Sequence, residues 1–271
     1  MTFQVTGTGA PGDAACTYGT SKLLFRGPKR SLDQPYIAFL GGSETFGRFV
    51  DRPFASLIES RLGRTCVNLG STNGGLDTIL RDVEVMRIAA AASMVVLQLP
   101  GVQGQSNRYY RVHPRRNDRF LQATSHLRRL YPEVDFTRFH FVRHLLVALC
   151  DIDPARFRTV SDDLQARWVR RMQGMFTKFQ GRVHLLWLQY QTGAGDGALD
   201  DEPLLVTRAM LESVSKTAMG VVTLPVQAAI QTGDMSEMRF GDLQQPIAEN
   251  MIGPDTHRRI AERLAEVLER Q

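Results

Sequence analysis

Tyr36-Ile-Ala-Phe-Leu40, closed by Gly41-Gly42, is a short apolar run with a glycine boundary. Runs of this kind fit strands buried on both faces, as in a parallel sheet. Two more follow: Thr65-Cys-Val-Asn-Leu69, ending at Gly70, and Met94-Val-Val-Leu-Gln-Leu99, ending at Pro100-Gly101. Between the first two, Phe49, Val50, Phe54, Leu57, Ile58 and Leu62 keep one helix face apolar and predict a helix over 49–63. A second helix is predicted around 75–91. Strand and helix alternating at this spacing is the signature of βαβ units and a parallel sheet. The pattern resumes at 183–190, expected as a fourth strand, and at 221–226, a shorter fifth. It closes with a helix over 256–270, whose Ile260, Leu264, Val267 and Leu268 fall at spacings of three and four.

Length and composition agree with one α/β domain. The chain has 271 residues, 43% of them hydrophobic, which is ordinary for a globular protein and too high for a disordered one. No apolar run approaches the ~18 residues a membrane helix needs. The formal charge is +5, and only Lys22, Lys29, Lys178 and Lys216 among the 33 basic residues are lysine, so the excess rests on arginine. Arginine forks match carboxylates and phosphates in two-point contacts. Cys16, Cys66 and Cys150 lack CxxC spacing and read as reduced core thiols. The N-terminus shows no charged segment followed by an apolar one, so a cytoplasmic location is the expectation.

Residues 1–34 read as an irregular arm and 35–271 as the α/β domain. Between the third and fourth strands lie about 80 residues, more than one crossover of a dozen or so requires. The stretch 104–180 is therefore expected to be an arginine- and aromatic-rich helical insertion, with one long helix over 155–180 carrying Trp168, Met172 and Phe176 at i, i+4 and i+8.

Ligands of open parallel sheets bind outside the carboxyl ends of the strands. Those ends carry Gly41-Gly-Ser-Glu-Thr-Phe-Gly47, Asn68-Leu-Gly-Ser-Thr-Asn-Gly-Gly75, Gly101-Val-Gln-Gly-Gln-Ser-Asn107 and, before the last helix, Gly253-Pro-Asp-Thr-His257. A serine, glycines, carboxamides and a histidine would converge there. Ser43 would be the nucleophile, exposed by its glycines. His257 would be the proton shuttle and Asp255 its orienting acid. The Gly70 amide with the carboxamide of Gln103 or Asn107 would hold the oxyanion. Arg108 and Arg116 are candidates for binding an anionic substrate. No metal or organic cofactor is required. His140 and His144, four apart, lack a third ligand in the pattern. The glycines after the first strand form neither a dinucleotide nor a Walker loop.

Gly41-Gly-Ser43-Glu-Thr-Phe-Gly47 resembles the first block of the SGNH (GDSL-type) hydrolases. Gly70, Gly101 and His257 fall in the order of that superfamily's later blocks. The segment 106–120 is similar to an uncharacterised bacterial SGNH-like family of unknown function. The resemblance implies a three-layer, flavodoxin-like fold and acyl-ester hydrolysis or transfer through an acyl-serine, with a small-molecule or glycan ester as substrate. Gly42 stands where the superfamily has aspartate, Gln103 where it has asparagine, and Asp255 lies two rather than three residues before the histidine. A Ser–His dyad stays open beside the triad.

A catalytically silent module of the same fold, binding carbohydrate or a protein partner, is the competing expectation. Nucleic acid is disfavoured, since no RRM, KH, zinc-finger or helix-turn-helix pattern accompanies the basic charge.

Overall fold

The structure, a computed structural model, describes residues 15–191, 199 and 203–270. Its strands and helices, in chain order, are β1 (Tyr36–Gly41), α1 (Ser43–Phe46), α2 (Phe54–Leu62), β2 (Thr65–Gly70), α3 (Leu76–Arg81), α4 (Val83–Ala91) and β3 (Met94–Gln98). There follow β4 (Tyr110–Val112), β5 (Phe120–Ala123), α5 (Ser125–Leu130), α6 (Val142–Ile152) and α7 (Pro154–Lys178). The chain continues through β6 (Val183–Tyr190), α8 (Arg208–Ser215), β7 (Gly220–Val226), α9 (Ala229–Thr232), α10 (Gln245–Glu249) and α11 (Pro254–Leu268).

Five strands form one sheet in the order β2-β1-β3-β6-β7, and every pairing in it is parallel. Alternate residues leave opposite faces of a strand. Tyr36, Ala38 and Leu40 thus enter one hydrophobic cluster, with side chains of α4, α6, α7 and α8. Ile37 and Phe39 enter the other, with side chains of α2 and α11. The result is a helix–sheet–helix sandwich of three layers. From β1 the chain first moves outward to β2, then crosses to β3 and proceeds the other way. The strand order therefore reverses at β1 and β3, and the crevice between their carboxyl ends is where such sheets bind ligands.

Three local departures from the periodicity have physical causes. The predicted helix over 49–63 begins only at Phe54, because Phe49 takes a left-handed φ of 70° and Pro53 occupies the N-cap. The intervening turn is held by the buried Arg26, whose guanidinium donates to the carbonyls of Gly47, Val50 and Asp51. The helix around 75–91 breaks at Asp82, whose carboxylate accepts from the Val85 amide and caps α4. The stretch between β3 and β6 is not helical throughout: β4 and β5 pair antiparallel as a hairpin. Its long helix α7 does bury Trp168, Met172 and Phe176 on one stripe. Cys66 is buried, which pushes its thiol up to about 12, whereas Cys16 and Cys150 are only half-buried. No helix among the described residues is long and apolar enough to cross a membrane.

Candidate functional site

The crevice at the β1/β3 reversal is a cavity of about 440 Å³. It is lined by Ser43 and Glu44 from the β1–α1 turn, Asn73 from the loop after β2, and Gln98 and Gln103 from the end of β3 and beyond. Asn117, Asp118 and Arg143 of the inserted segment and Tyr190, Gln191, Gln231 and Asn250 of the C-terminal third complete its polar wall.

The turn bearing Ser43 is shaped by close packing. A Cβ on Gly70 would lie 2.3 Å from the Phe46 backbone nitrogen, so only glycine lets β2 run beneath α1. Gln98 Oε1 accepts from the Thr45 hydroxyl at 2.6 Å and from the amides of Thr45 and Gly42, while its Nε2 donates to Glu44 Oε2 at 2.8 Å. Glu44 Oε1 in turn accepts from the Tyr190 hydroxyl at 3.1 Å. The Ser43 Oγ accepts from the Asn73 amide at 3.0 Å and lies 3.5 Å from Asn73 Oδ1. Asn73 adopts the left-handed region, φ 56°, which asparagine tolerates better than most residues. Ser43 thereby pins the loop after β2 against the first turn.

That loop is held from its other side by Asn117, which is almost completely buried. Its Oδ1 accepts from the amides of Gly75 and Thr78 and from the Thr78 hydroxyl, and its Nδ2 donates to the His113 carbonyl. The Asn117 amide donates to the Asn73 carbonyl. Farther in, the buried Asp77 pairs with Arg171 at 2.6 Å and accepts from the Ser106 amide. The Trp168 indole donates to the Pro100 carbonyl. These contacts moor the inserted segment to the strand ends.

Of the residues expected to perform chemistry, Ser43 and Gln103 share the crevice. The others are placed elsewhere or already engaged. His257 is 1% exposed, stacked on Phe54 with ring centroids 5.6 Å apart, and its Nδ1 accepts from the Phe54 amide at 3.2 Å. It stands in the layer beneath the sheet, outside the lining of the Ser43 crevice, and no hydrogen bond joins the two among the described residues. Burial, with a smaller push from the Arg26 charge, drives the imidazole down to about 3, so it is neutral at physiological pH.

Asp255 points to solvent and pairs with Arg258, its neighbour one turn on, rather than with the imidazole. The Gly70 amide is taken by Asn68 Oδ1 at 2.9 Å, so it offers nothing to an oxyanion. Asn107 is likewise spent: its Oδ1 accepts from the amides of Tyr109 and Tyr110 and its Nδ2 donates to the Gln105 carbonyl, an arrangement that builds its own loop. Arg108 is exposed over the Tyr109 ring, 3.8 Å from Asp163, and lines neither this crevice nor its neighbour. Arg116 lies across the 113–119 loop, in a second cavity.

Two residues of the crevice wall each carry an unusual atom. Gln103 Oε1 and Asp118 Oδ1 are buried and have no hydrogen-bond partner among the described residues. Burial pushes the Asp118 carboxyl up from its ordinary value, against the lowering pull of Arg119 and Arg116. Both atoms are acceptors.

A family model covers residues 1–271 in full. The chain belongs to the family described as Domain of unknown function (DUF6473). No curated protein matches it. Among solved structures, this DUF6473 chain is similar to a carbohydrate esterase family 2 enzyme with a carbohydrate binding domain from Corynascus thermopiles (Myceliophthora fergusii). The identity is 12% and the TM-score 0.44, over 89% of this chain and 68% of that one. It is also similar to a protein from Lactobacillus plantarum, at 12% identity and TM-score 0.41, over 88% of this chain and 97% of that one. A third likeness is to a gut microbial diltiazem-metabolizing enzyme, at 12% identity and TM-score 0.34, over 88% and 48% of the two chains.

The residues that sequence reasoning missed are Glu44, Asn73, Gln98, Asn117 and Asp118. Gln98 had a visible signal, a lone carboxamide in an otherwise apolar strand end. Asn117-Asp118 was masked by the arginines on both sides.

Proposed function

We propose that the Ser43 crevice binds a hydroxyl-rich ligand of the carbohydrate class, without an acyl-serine step driven by His257. The observation that carries this reading is the carboxamide- and carboxyl-rich lining of the crevice, with Asn73, Gln103, Gln191, Gln231 and Asn250 beside Glu44 and Asp118. An oxyanion hole must present donors to developing negative charge. One oxygen each of Gln103 and Asp118 is closed off and left unmet, at a cost of about 1–3 kcal/mol that a donor from a ligand relieves once those side chains turn toward it. Sugar hydroxyls supply such donors. The surrounding carboxamides of Asn73, Gln191, Gln231 and Asn250 both donate and accept, as recognition of a polyol requires. The neutral, engaged imidazole of His257 supports the same reading.

Hydrolysis of an acyl ester by Ser43 is the second reading. It is favoured by the raised Asp118 carboxyl in the same crevice, a carboxylate that would take the serine proton in place of an imidazole. Two measurements on the purified protein separate the readings. Titration with neutral mono- and disaccharides, followed by NMR, is expected to show saturable binding that Gln103→Ala weakens. A fluorophosphonate probe is expected to leave Ser43 unlabelled. Rapid labelling that Ser43→Ala abolishes would instead establish the hydrolase.

A further inference from the structure

We infer that a second cavity, behind the wall formed by the 71–75 and 113–119 loops, is a binding site for a phosphate or sulfate ester group. The basin measures about 700 Å³ and takes its walls from four separate stretches of chain. Lys22 comes from the N-terminal arm and Ser71 and Thr72 from the loop after β2. His113, Arg115, Arg116 and Arg119 come from the β4–β5 connection, and His140 from the strand-like segment beside it. None of the lining residues is a carboxylate.

The cations have little counter-charge: only the Asp118 carboxyl, on the crevice side of the same loop, feels Arg119 and Arg116. Elsewhere on this surface arginines find acids, as Arg156 does with Glu133 and Asp153, and Arg258 with Asp255 and Glu237. Lys22, Arg115, Arg116 and Arg119 make no ion pair among the described residues. Arg119 lies instead over the Phe141 ring, 4.4 Å from its centroid. Crowding is felt nearby: burial first, then the charge of Arg116, pushes the Arg48 guanidinium down. Like charges gathered in excess of nearby counter-charge repel, and an anion held among them relieves that repulsion.

The donors are also held in place. His113 Nδ1 accepts from the amides of Arg115 and Arg116 at 3.3 and 3.2 Å, so the neutral ring carries its proton on Nε2 and is a donor there. The connection is closed by the His113 amide donating to the Arg119 carbonyl, and stapled from below by Asn117. The Phe120 amide donates to the His140 carbonyl, which fixes the segment bearing the second imidazole. Arginine forks with hydroxyls beside them match the oxygens of a tetrahedral oxyanion, doubly charged in a phosphate monoester and singly charged in a sulfate ester. This inference does not depend on the reading of the Ser43 crevice.

The test uses the full chain and inorganic pyrophosphate, titrated calorimetrically at constant ionic strength, with sulfate in a parallel arm. One-to-one saturable binding is expected, together with a raised melting temperature. The double variant R115Q/R116Q is expected to weaken it by roughly tenfold or more, and R129Q, an exposed arginine outside the basin, to leave it unchanged. Comparable affinity for sulfate would assign a sulfate ester, and preference for pyrophosphate a phosphate ester. Absence of saturation at millimolar pyrophosphate would overturn the inference. So would equal weakening by R129Q, which marks a general charge effect, or tighter capture of a single-stranded oligonucleotide than of pyrophosphate. Because all three substituted residues are exposed, circular dichroism is expected to show unaltered folding in each variant.

Discussion

Ser43 and His257 look alike along the chain. Each follows a glycine within a few residues, and each opens a helix: Ser43 begins α1 and His257 lies in the first turn of α11. Their surroundings differ completely. Ser43 stands partly exposed on a polar crevice and ties down a loop through Asn73. His257 lies in the hydrophobic layer between α11 and α2, where its ring stacks on Phe54 and its nitrogen satisfies a backbone amide. The lesson is that chain position brings a residue to one end of a helix, but the helix face decides whether it meets ligand or core.

The largest effect separating the two is expected at His257. Replacing it with alanine removes a stacked ring and strands the Phe54 amide, for a loss of about 2–5 kcal/mol in denaturant unfolding. The pH dependence follows from the same burial. The folded protein keeps the imidazole neutral down to about 3, whereas the unfolded chain takes up a proton near the ordinary 6.5. Its contribution is therefore complete above that ordinary value and falls away as the pH drops toward 3. The slope is about 1.4 kcal/mol per pH unit. A stability profile between neutral and acid pH is expected to lose that slope in His257→Phe.

Asn117→Ala comes next. It deletes one acceptor serving three donors and one donor, buried or partly buried, and is expected to cost about 2–3 kcal/mol. Because Asn117 carries the wall between crevice and basin, hydrogen exchange at Gly75 and Thr78 is expected to accelerate with it. Ser43→Ala removes one partly exposed hydroxyl bond and is expected to cost only about 0.5–1.5 kcal/mol, with exchange quickened at the Asn73 amide alone. Asp255→Ala, which breaks only an exposed pair, is expected to leave the melting temperature unchanged.

Much of this was legible in the sequence, and the gaps have physical causes. Buried parallel strands announce themselves by apolar runs with glycine ends, and each of the five expected runs pairs into the central sheet. The 110–123 hairpin escaped notice because its strands are three and four residues long and set among arginines. The placement of His257 had a readable signal. It stands three and four positions before Ile260 and Ala261 and seven before Leu264, at the head of the same stripe that faces the sheet. Extending the helical periodicity back by one turn puts the imidazole in the core. Asn107 and Gly70 could not be assigned from their positions, since both depend on which partner claims a backbone or amide group after folding.

The central claim is that the serine and the histidine occupy separate environments. The most direct measurement is the nitrogen NMR spectrum of His257, followed through an acid titration in the native chain and in Ser43→Ala. An imidazole that stays neutral with Nδ1 unprotonated well below pH 6, and whose signals do not move in the variant, is the predicted result. An imidazole that titrates near 6.5 and shifts when the serine hydroxyl is removed would contradict it.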